Sequence, residues 1–175
     1  MESARALVHE QGVQRTTLAE VAERAHIPVG NVYYYFKTKD ELVAAVIDGY
    51  VQQAQMLLER LERHRSPKAR LKGLTRSWEE IGEDVARHGC PIGSLCAELG
   101  KRHDELDGEA ARVFALVIGW AEEQFAQLGR RDARDLAIAL FAGIQGAAIL
   151  ANTFRDPELM AAQGRRLERW IDSVT

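Results

Sequence analysis

The sequence predicts an all-α protein of about nine helices, with an N-terminal three-helix helix-turn-helix head joined by a long helix to a C-terminal helical body. Three observations predict it. Ala, Leu, Glu and Arg dominate while Pro is limited to four residues, so helix formers prevail. No segment sustains the apolar–polar alternation of a half-buried strand. Finally, Thr16 to Leu42, TTLAEVAERAHIPVGNVYYYFKTKDEL, reads as two short helices around a tight turn with the start of a third behind them.

The elements follow in order. A first helix is predicted from about Glu2 to Gln11, with Gly12 ending it as a C-cap. Thr17 opens the second helix and forms a capping box with Glu20, in which hydroxyl and carboxylate each accept from the other's backbone N–H. Leu18, Val21 and Ala22 give that helix a buried stripe. Ala25 to Pro28 form the turn, and the third helix starts near Pro28, where a missing N–H costs nothing. Thr38 with Glu41 makes a second capping box and opens a long helix, roughly Lys39 to His64, which Ser66 and Pro67 break. A fifth helix is expected from about Pro67 to Arg87, stopped at His88-Gly89. The stretch from Cys90 to Gly100 is expected to become helical by Leu95. Amphipathic helices follow near Gly108–Leu128, Asp132–Phe154 and Pro157–Ser173.

Length and composition narrow the function. The chain has 175 residues and is 46% apolar, enough for a real core. The longest apolar candidate, Leu136 to Leu150, is interrupted by Gly143, Gln145 and Gly146 and falls short of the ~18 residues of a membrane span. Together with the lack of a signal-peptide pattern, this predicts a cytoplasmic protein with no membrane partner. Cys90 and Cys96 are no disulfide framework: six apart on one helix, they lie about 120° apart around its axis, which also disfavours a metal pair. His88 and His103 lack the spacing of a triad, and neither a nucleophile elbow nor a zinc spacing occurs. No catalytic residue, metal or cofactor is expected, and the chain is not expected to be an enzyme.

The third helix carries the chemistry. Val32 and Phe36 are four apart and should share its buried face, with Val29 and Tyr33 in a neighbouring row. Asn31, Tyr34 and Tyr35 then face outward, because three consecutive tyrosines cannot all lie on one helical face. Gly30 lets a partner approach the backbone. Asn pairs bidentately with adenine in the major groove, and Tyr hydroxyls reach phosphates. Lys39 and the N–H groups at the next helix start form a phosphate clamp. Charge argues the other way. Net charge is −3, and residues 1–50 hold five basic side chains (Arg5, Arg15, Arg24, Lys37, Lys39) against seven acidic ones. A DNA-binding head is usually more basic.

TTLAEVAERAHIPVGNVYYYFKTKDEL resembles the signature of the TetR family of transcriptional regulators over about the first 50 residues. The match includes the Thr at the second helix start, the V-A-x-x-A core, the G-x-V-Y-x-Y-F reader and the K-x-K-D-E-L cap. The resemblance implies an all-helical homodimer that binds palindromic double-stranded operator DNA and leaves it when a small molecule binds the body. Position by position, it implies a phosphate contact for Thr17, base edges near Val29, Gly30 and Asn31, DNA contacts for Tyr33, Tyr34 and Tyr35, and a phosphate contact for Lys39. It further implies a division into a DNA-binding domain, 1–46, and a ligand-binding and dimerisation domain, 47–175. Two departures stand out. Pro28 occupies the place where the family often has a Ser or Thr cap. The basic N-terminal extension common in the family is missing, and an internal or misassigned start would account for part of the missing charge.

In the body, GCPIGSLCAELG (Gly89 to Gly100) resembles a motif of the subgroup named for the lincomycin-resistance repressor, which favours a flat aromatic or amphipathic effector. Trp78, Ile81, Val85, Leu95, Phe114, Val117, Trp120 and Phe141 are candidate pocket walls, with Gln145, Asn152, Glu98 and Ser94 as candidate polar groups. Plain core is the simpler reading of each apolar one. Small residues at Ala139, Gly143, Gly146, Ala147 and Ala151 suit either a tight internal crossing or a dimer seam. By resemblance, the last two helices pair with their copies, through Leu167, Trp170 and Ile171 among others. That interface would present two readers about 34–36 Å apart. The contrasting expectation is a small all-α ligand carrier, or a protein-interaction module, that retains a helix-turn-helix without using it.

Overall fold

A computed structural model describes residues 1–175, all helical apart from caps and short connections. Ten helices follow in order: α1 (Glu2–Arg15), α2 (Leu18–Arg24), α3 (Val29–Tyr35), α4 (Lys39–Glu62), α5 (Pro67–Glu79), α6 (Gly82–His88), α7 (Pro91–Leu99), α8 (Glu105–Gln127), α9 (Ala133–Phe154) and α10 (Glu158–Val174). Helices α5 and α6 occupy the stretch that the sequence predicts as one helix. Backbone at Ile81 (φ −102°, ψ 13°) leaves helical geometry and separates them.

The chain forms two compact units: residues 1–53 with 91–113, and residues 54–90 with 114–175. The first contains α1 to α3, most of α4, all of α7 and the start of α8. Its core draws Leu7, Val8 and Val13 from α1, Leu18 and Val21 from α2, Val32 from α3, Leu42, Val46 and Tyr50 from α4, and Leu95 and Leu99 from α7. Helix α4 buries Leu42, Val46, Tyr50, Ala54, Leu58 and Leu61, a stripe stepping about one turn at a time along its length.

Local chemistry explains the first unit's corners. The capping box at α2 is complete: Glu20 N–H donates to Thr17 Oγ1 at 3.2 Å and Thr17 N–H to the Glu20 carboxylate at 2.8 Å. The Thr17 bonds also hold the Glu20 carboxyl below its usual range. The second box is half of one. Glu41 N–H donates to Thr38 Oγ1 at 3.1 Å, but the Glu41 carboxylate accepts from Lys37 N–H at 2.6 Å, one residue further back than a box requires. Gly12 has the positive φ (84°) of a C-cap, yet the chain resumes helical turns and α1 runs on to Arg15 across the kink.

In the second unit α9 packs on α6 and α10, and α5 packs on α10. Ser66 caps α5, accepting from Ala69 N–H at 3.2 Å, with Pro67 behind it. Arg70 closes the C-terminal end of α4 by donating to the carbonyls of Glu62 and His64, both at 3.2 Å. Helix α9 is, by length and composition, apolar enough to cross a membrane despite its glycines, and a core helix passes the same test. Nine of its residues are buried within the protein, including Leu140, Phe141 and Ile144.

Candidate nucleic-acid interface and ligand-domain sites

Helix α3 is a short rod fixed by one apolar anchor. Val32 is its only buried residue, at 4% exposure. Phe36, just past the helix, is half-buried, while Val29 and Asn31 are exposed. Tyr34 and Tyr35 are each 74% exposed, and Tyr33 49%. Tyrosine joins an apolar ring to a polar hydroxyl, which suits it to surfaces that meet a partner. The Tyr34 and Tyr35 rings meet edge to face at 5.2 Å, so each restrains the other. A Cβ on Gly30 would meet nothing within 4 Å, so no internal packing requires a glycine there.

The two lysines beside α3 spend hydrogen bonds on the backbone. Lys37 Nζ donates to the carbonyls of Tyr33 (2.9 Å) and Tyr34 (3.1 Å) and lies 5.6 Å from the Tyr34 ring centre. It thus caps the C-terminal end of α3, where a cation is favoured. Lys39 Nζ donates to Gln14 O at 2.8 Å, which leaves two of its three hydrogens for another acceptor. Thr17 is exposed, although its side chain already serves the α2 cap. Arg24 pairs with Glu10, which raises the guanidinium's pKa. Asp40, at the start of α4, accepts two bonds from Arg102 at 2.9 Å each, and these hold its carboxyl below the usual range. The head's charges are therefore largely consumed in pairs and caps. The acidic excess seen in sequence is partly neutralised by Arg102, which lies outside the first 50 residues.

The predicted pocket residues divide between the units. Leu95 is buried in the first unit. In the second, Trp78, Phe141 and Phe114 form an aromatic chain, with ring centres 6.3 Å and 4.8 Å apart. Val85 and Val117 are core, Ile81 is exposed, and Gln145 is half-buried one turn after Phe141. Trp78 Nε1 and Gln145 Nε2 are buried donors without an acceptor. Asn152 Nδ2 donates to Ala86 O at 3.2 Å. Glu98, a candidate pocket polar group by sequence, belongs instead to the first unit, where its carboxylate accepts from the N–H groups of Val13 and Gln14.

An open groove of about 440 Å³ lies between α4 and α8 within the second unit. It is lined by Gln55, Leu58, Glu59, Glu62, Ala115, Leu116, Gly119, Trp120 and Glu123; of these only Trp120 is a candidate by sequence. Glu62 organises one wall, accepting from Trp120 Nε1 at 2.7 Å and Gln124 Nε2 at 3.1 Å and pairing with Arg70 at 2.9 Å. Sequence reading misses the groove because Glu59, Glu62 and Glu123 look like the solvated faces of two separate helices. The aligned four-residue steps of Leu58 and Glu62 in α4 and of Trp120 and Gln124 in α8 are the available signal.

Part of the small-residue stripe of α9 packs inside the chain. A Cβ on Gly143 would come within 2.8 Å of Leu167 Cδ2, so Gly143 lets α10 approach. Ala147 and Ile171 are buried and Trp170 is half-buried, its ring 6.2 Å from that of Phe125. Ala139 is exposed and Gly146 half-exposed. Next to them Ile138, Ile149, Leu150 and Phe154 form an exposed apolar face that the sequence reading did not single out.

Comparison with known proteins bears on both regions. Residues 1–46 match the bacterial regulatory proteins of the tetR family, and residues 67–166 match the C-terminal domain of LmrA/YxaF-like transcriptional regulators. The transcriptional regulator AcuR of Cereibacter sphaeroides is 30% identical over 85% of this chain and 73% of its own. An HTH-type regulator in the lacX 3' region of Lactococcus lactis is 29% identical over 96% of this chain and 89% of its own. A crystal structure of a regulatory protein TetR from Rhodobacter sphaeroides superposes with a TM-score of 0.83 at 26% identity, covering 96% of this chain and 94% of that one. The helix-turn-helix thus belongs to a DNA-binding transcriptional regulator rather than to an enzyme, and the chain belongs to the TetR family, with an LmrA/YxaF-like C-terminal domain.

Proposed function

We propose that this regulator is a repressor that binds a palindromic operator as a homodimer and releases it when a small aromatic or amphipathic molecule binds its C-terminal domain. Residues 1–46 are the DNA-binding domain and residues 47–175 the ligand-binding and dimerisation domain. The observation that carries the reading is α3: exposed Asn31, Tyr33, Tyr34 and Tyr35 on a helix held by one buried valine. Asn31 reads a base edge, with Val29 and Gly30 close to the groove floor. Thr17, Lys39 and the tyrosine hydroxyls take phosphates.

The dimer forms through α9 and α10, with Ile138, Ala139, Gly146, Ile149 and Phe154 supplying apolar surface. Gly143 and Leu167 set the close α9–α10 packing beneath it, with Ala147 and Ile171 buried in the same two helices. The effector enters among Trp78, Phe114, Phe141 and Gln145, where two buried donors without acceptors favour a ligand carrying oxygen acceptors. Effector binding shifts α4, which is continuous from Lys39 to Glu62, and moves the readers off their one-turn spacing. DNA must then weaken effector binding by the same factor.

The test is selection of duplexes from a random-sequence library by the full chain, followed by gel shift of the enriched duplex with wild type, Asn31→Ala and Tyr34→Ala. Enrichment of an inverted repeat, with binding weakened in both variants, supports the reading. Absence of any enriched sequence at low salt refutes it.

A further inference from the structure

Glu98 sits in α7, within the segment that matches the C-terminal ligand domain, yet its carboxylate is spent on α1 of the DNA-binding domain. Oε2 accepts from Val13 N–H at 2.8 Å and Oε1 from Gln14 N–H at 2.7 Å. The reason lies in the kink. At Gly12 (φ 84°, ψ 166°) α1 leaves helical geometry, then resumes for one short turn. A resumed helix has leading N–H groups with no carbonyl behind them. Glu98 supplies both acceptors from outside, as a capping carboxylate does.

The fit depends on Gly12, whose added Cβ would lie 2.9 Å from Glu98 Oε2. The carbonyl side of the same turn is held as well: Lys39 Nζ donates to Gln14 O and Thr16 Oγ1 to Gly12 O, both at 2.8 Å. Three residues after Gln14, Thr17 caps α2, and α2 packs on α3. The direction in which α2 and the reader leave α1 is therefore set at a corner that Glu98 completes.

We infer that Glu98 is a positioning residue for DNA recognition, a carboxylate of the ligand domain that locks the α1 kink and through it the orientation of α3. A displacement of α7 withdraws both oxygens together, so the clamp is also a point where the ligand domain can govern the reader. This inference rests on the reading of α3 as the helix that contacts DNA.

The test uses the full chain and the duplex that wild type enriches from a random library, with a scrambled duplex of the same length. Glu98→Ala should bind the enriched duplex roughly 10-fold more weakly, as expected for loss of a charge-assisted hydrogen bond, and the scrambled duplex as well as wild type does. Amide exchange at Val13 and Gln14 should quicken. Glu98→Gln should fall between, because its one carbonyl oxygen still accepts a bond. Leu71→Ala, a core change in the other unit, is the stability control. Equal binding by Glu98→Ala and wild type overturns the inference alone. So does an equal loss of specific binding in Leu71→Ala at a matched melting temperature. A wild type that enriches no sequence removes the DNA-reading function, and this inference with it.

Discussion

Gly12→Ala puts the α1 kink under a direct energetic test. At φ 84° and ψ 166° the residue occupies a region that is essentially open to glycine only, and an alanine there costs about 1–3 kcal/mol in backbone strain. The new Cβ would also lie 2.9 Å from Glu98 Oε2, and the backbone on either side cannot yield without breaking the Thr16 bond to Gly12 O. The carboxylate must retreat. Losing one of its two bonds costs about 1.5 kcal/mol, the low end for a charged acceptor because the site is partly exposed. The sum is about 2.5–4.5 kcal/mol. For a chain of this size, with a shift of about 2–4 °C per kcal/mol, the melting temperature should fall by ~5–18 °C. Calorimetry or circular dichroism reads it, and the Glu98→Ala background separates the parts. There the clash has no partner, so Gly12→Ala should cost only its strain. A Gly12→Ala protein melting within about 2 °C of wild type would refute both the strained kink and the clamp.

Other outcomes follow from the same contacts. Thr17→Ala removes the complete capping box at α2 and should cost about 1 kcal/mol, seen as a melting temperature ~2–4 °C lower. Glu79, on α5, is pushed above its ordinary pKa of 4.5 chiefly by burial, with Glu168 adding to the shift. Its folded form therefore holds the proton more tightly than the unfolded chain, so its ionisation costs stability as pH rises through the folded value. Glu79→Gln should melt above wild type at neutral pH, and the advantage should vanish as pH falls toward 4.5; a constant difference across that range would contradict the burial argument. Operator affinity should depend only weakly on salt, with a log–log slope shallower than the roughly −5 to −9 that six to ten phosphate contacts give. A fluorescence-anisotropy salt titration that returns a steeper slope would show that basic groups carry the binding.

Much of the fold was legible because local rules and tertiary packing agree here. The Thr17–Glu20 box, the Ser66-Pro67 start of α5 and the four-residue steps of α4 each state their structure in a few adjacent residues. The α5–α6 break was not legible, since nothing in EEIGED forbids helix continuation and the helical run of α5 stops only at Glu80-Ile81. Regular helix does stop at Gly12, as its C-cap position predicts, but helical turns resume beyond it on acceptors that come from Glu98, 85 positions from Val13. The exposed face of α3 was legible from three consecutive tyrosines. The groove on α4 and α8 was not, because its carboxylates acquire meaning only when two distant helices are laid side by side. The glycine at 143 shows the limit of composition: a small residue announces a close approach but not which helix approaches, and the neighbour is the chain's own Leu167.

The central claim is that α3 reads DNA through a short polar and aromatic face. The most direct measurement is the affinity of Asn31→Ala against wild type for the duplex enriched by the wild type and for a scrambled duplex. Loss of a bidentate base contact should cost about 1–3 kcal/mol, roughly 5- to 150-fold on the enriched duplex, with no change on the scrambled one. Equal affinities of the two proteins for the enriched duplex, or an equal loss on both duplexes, would contradict the claim that Asn31 specifies sequence.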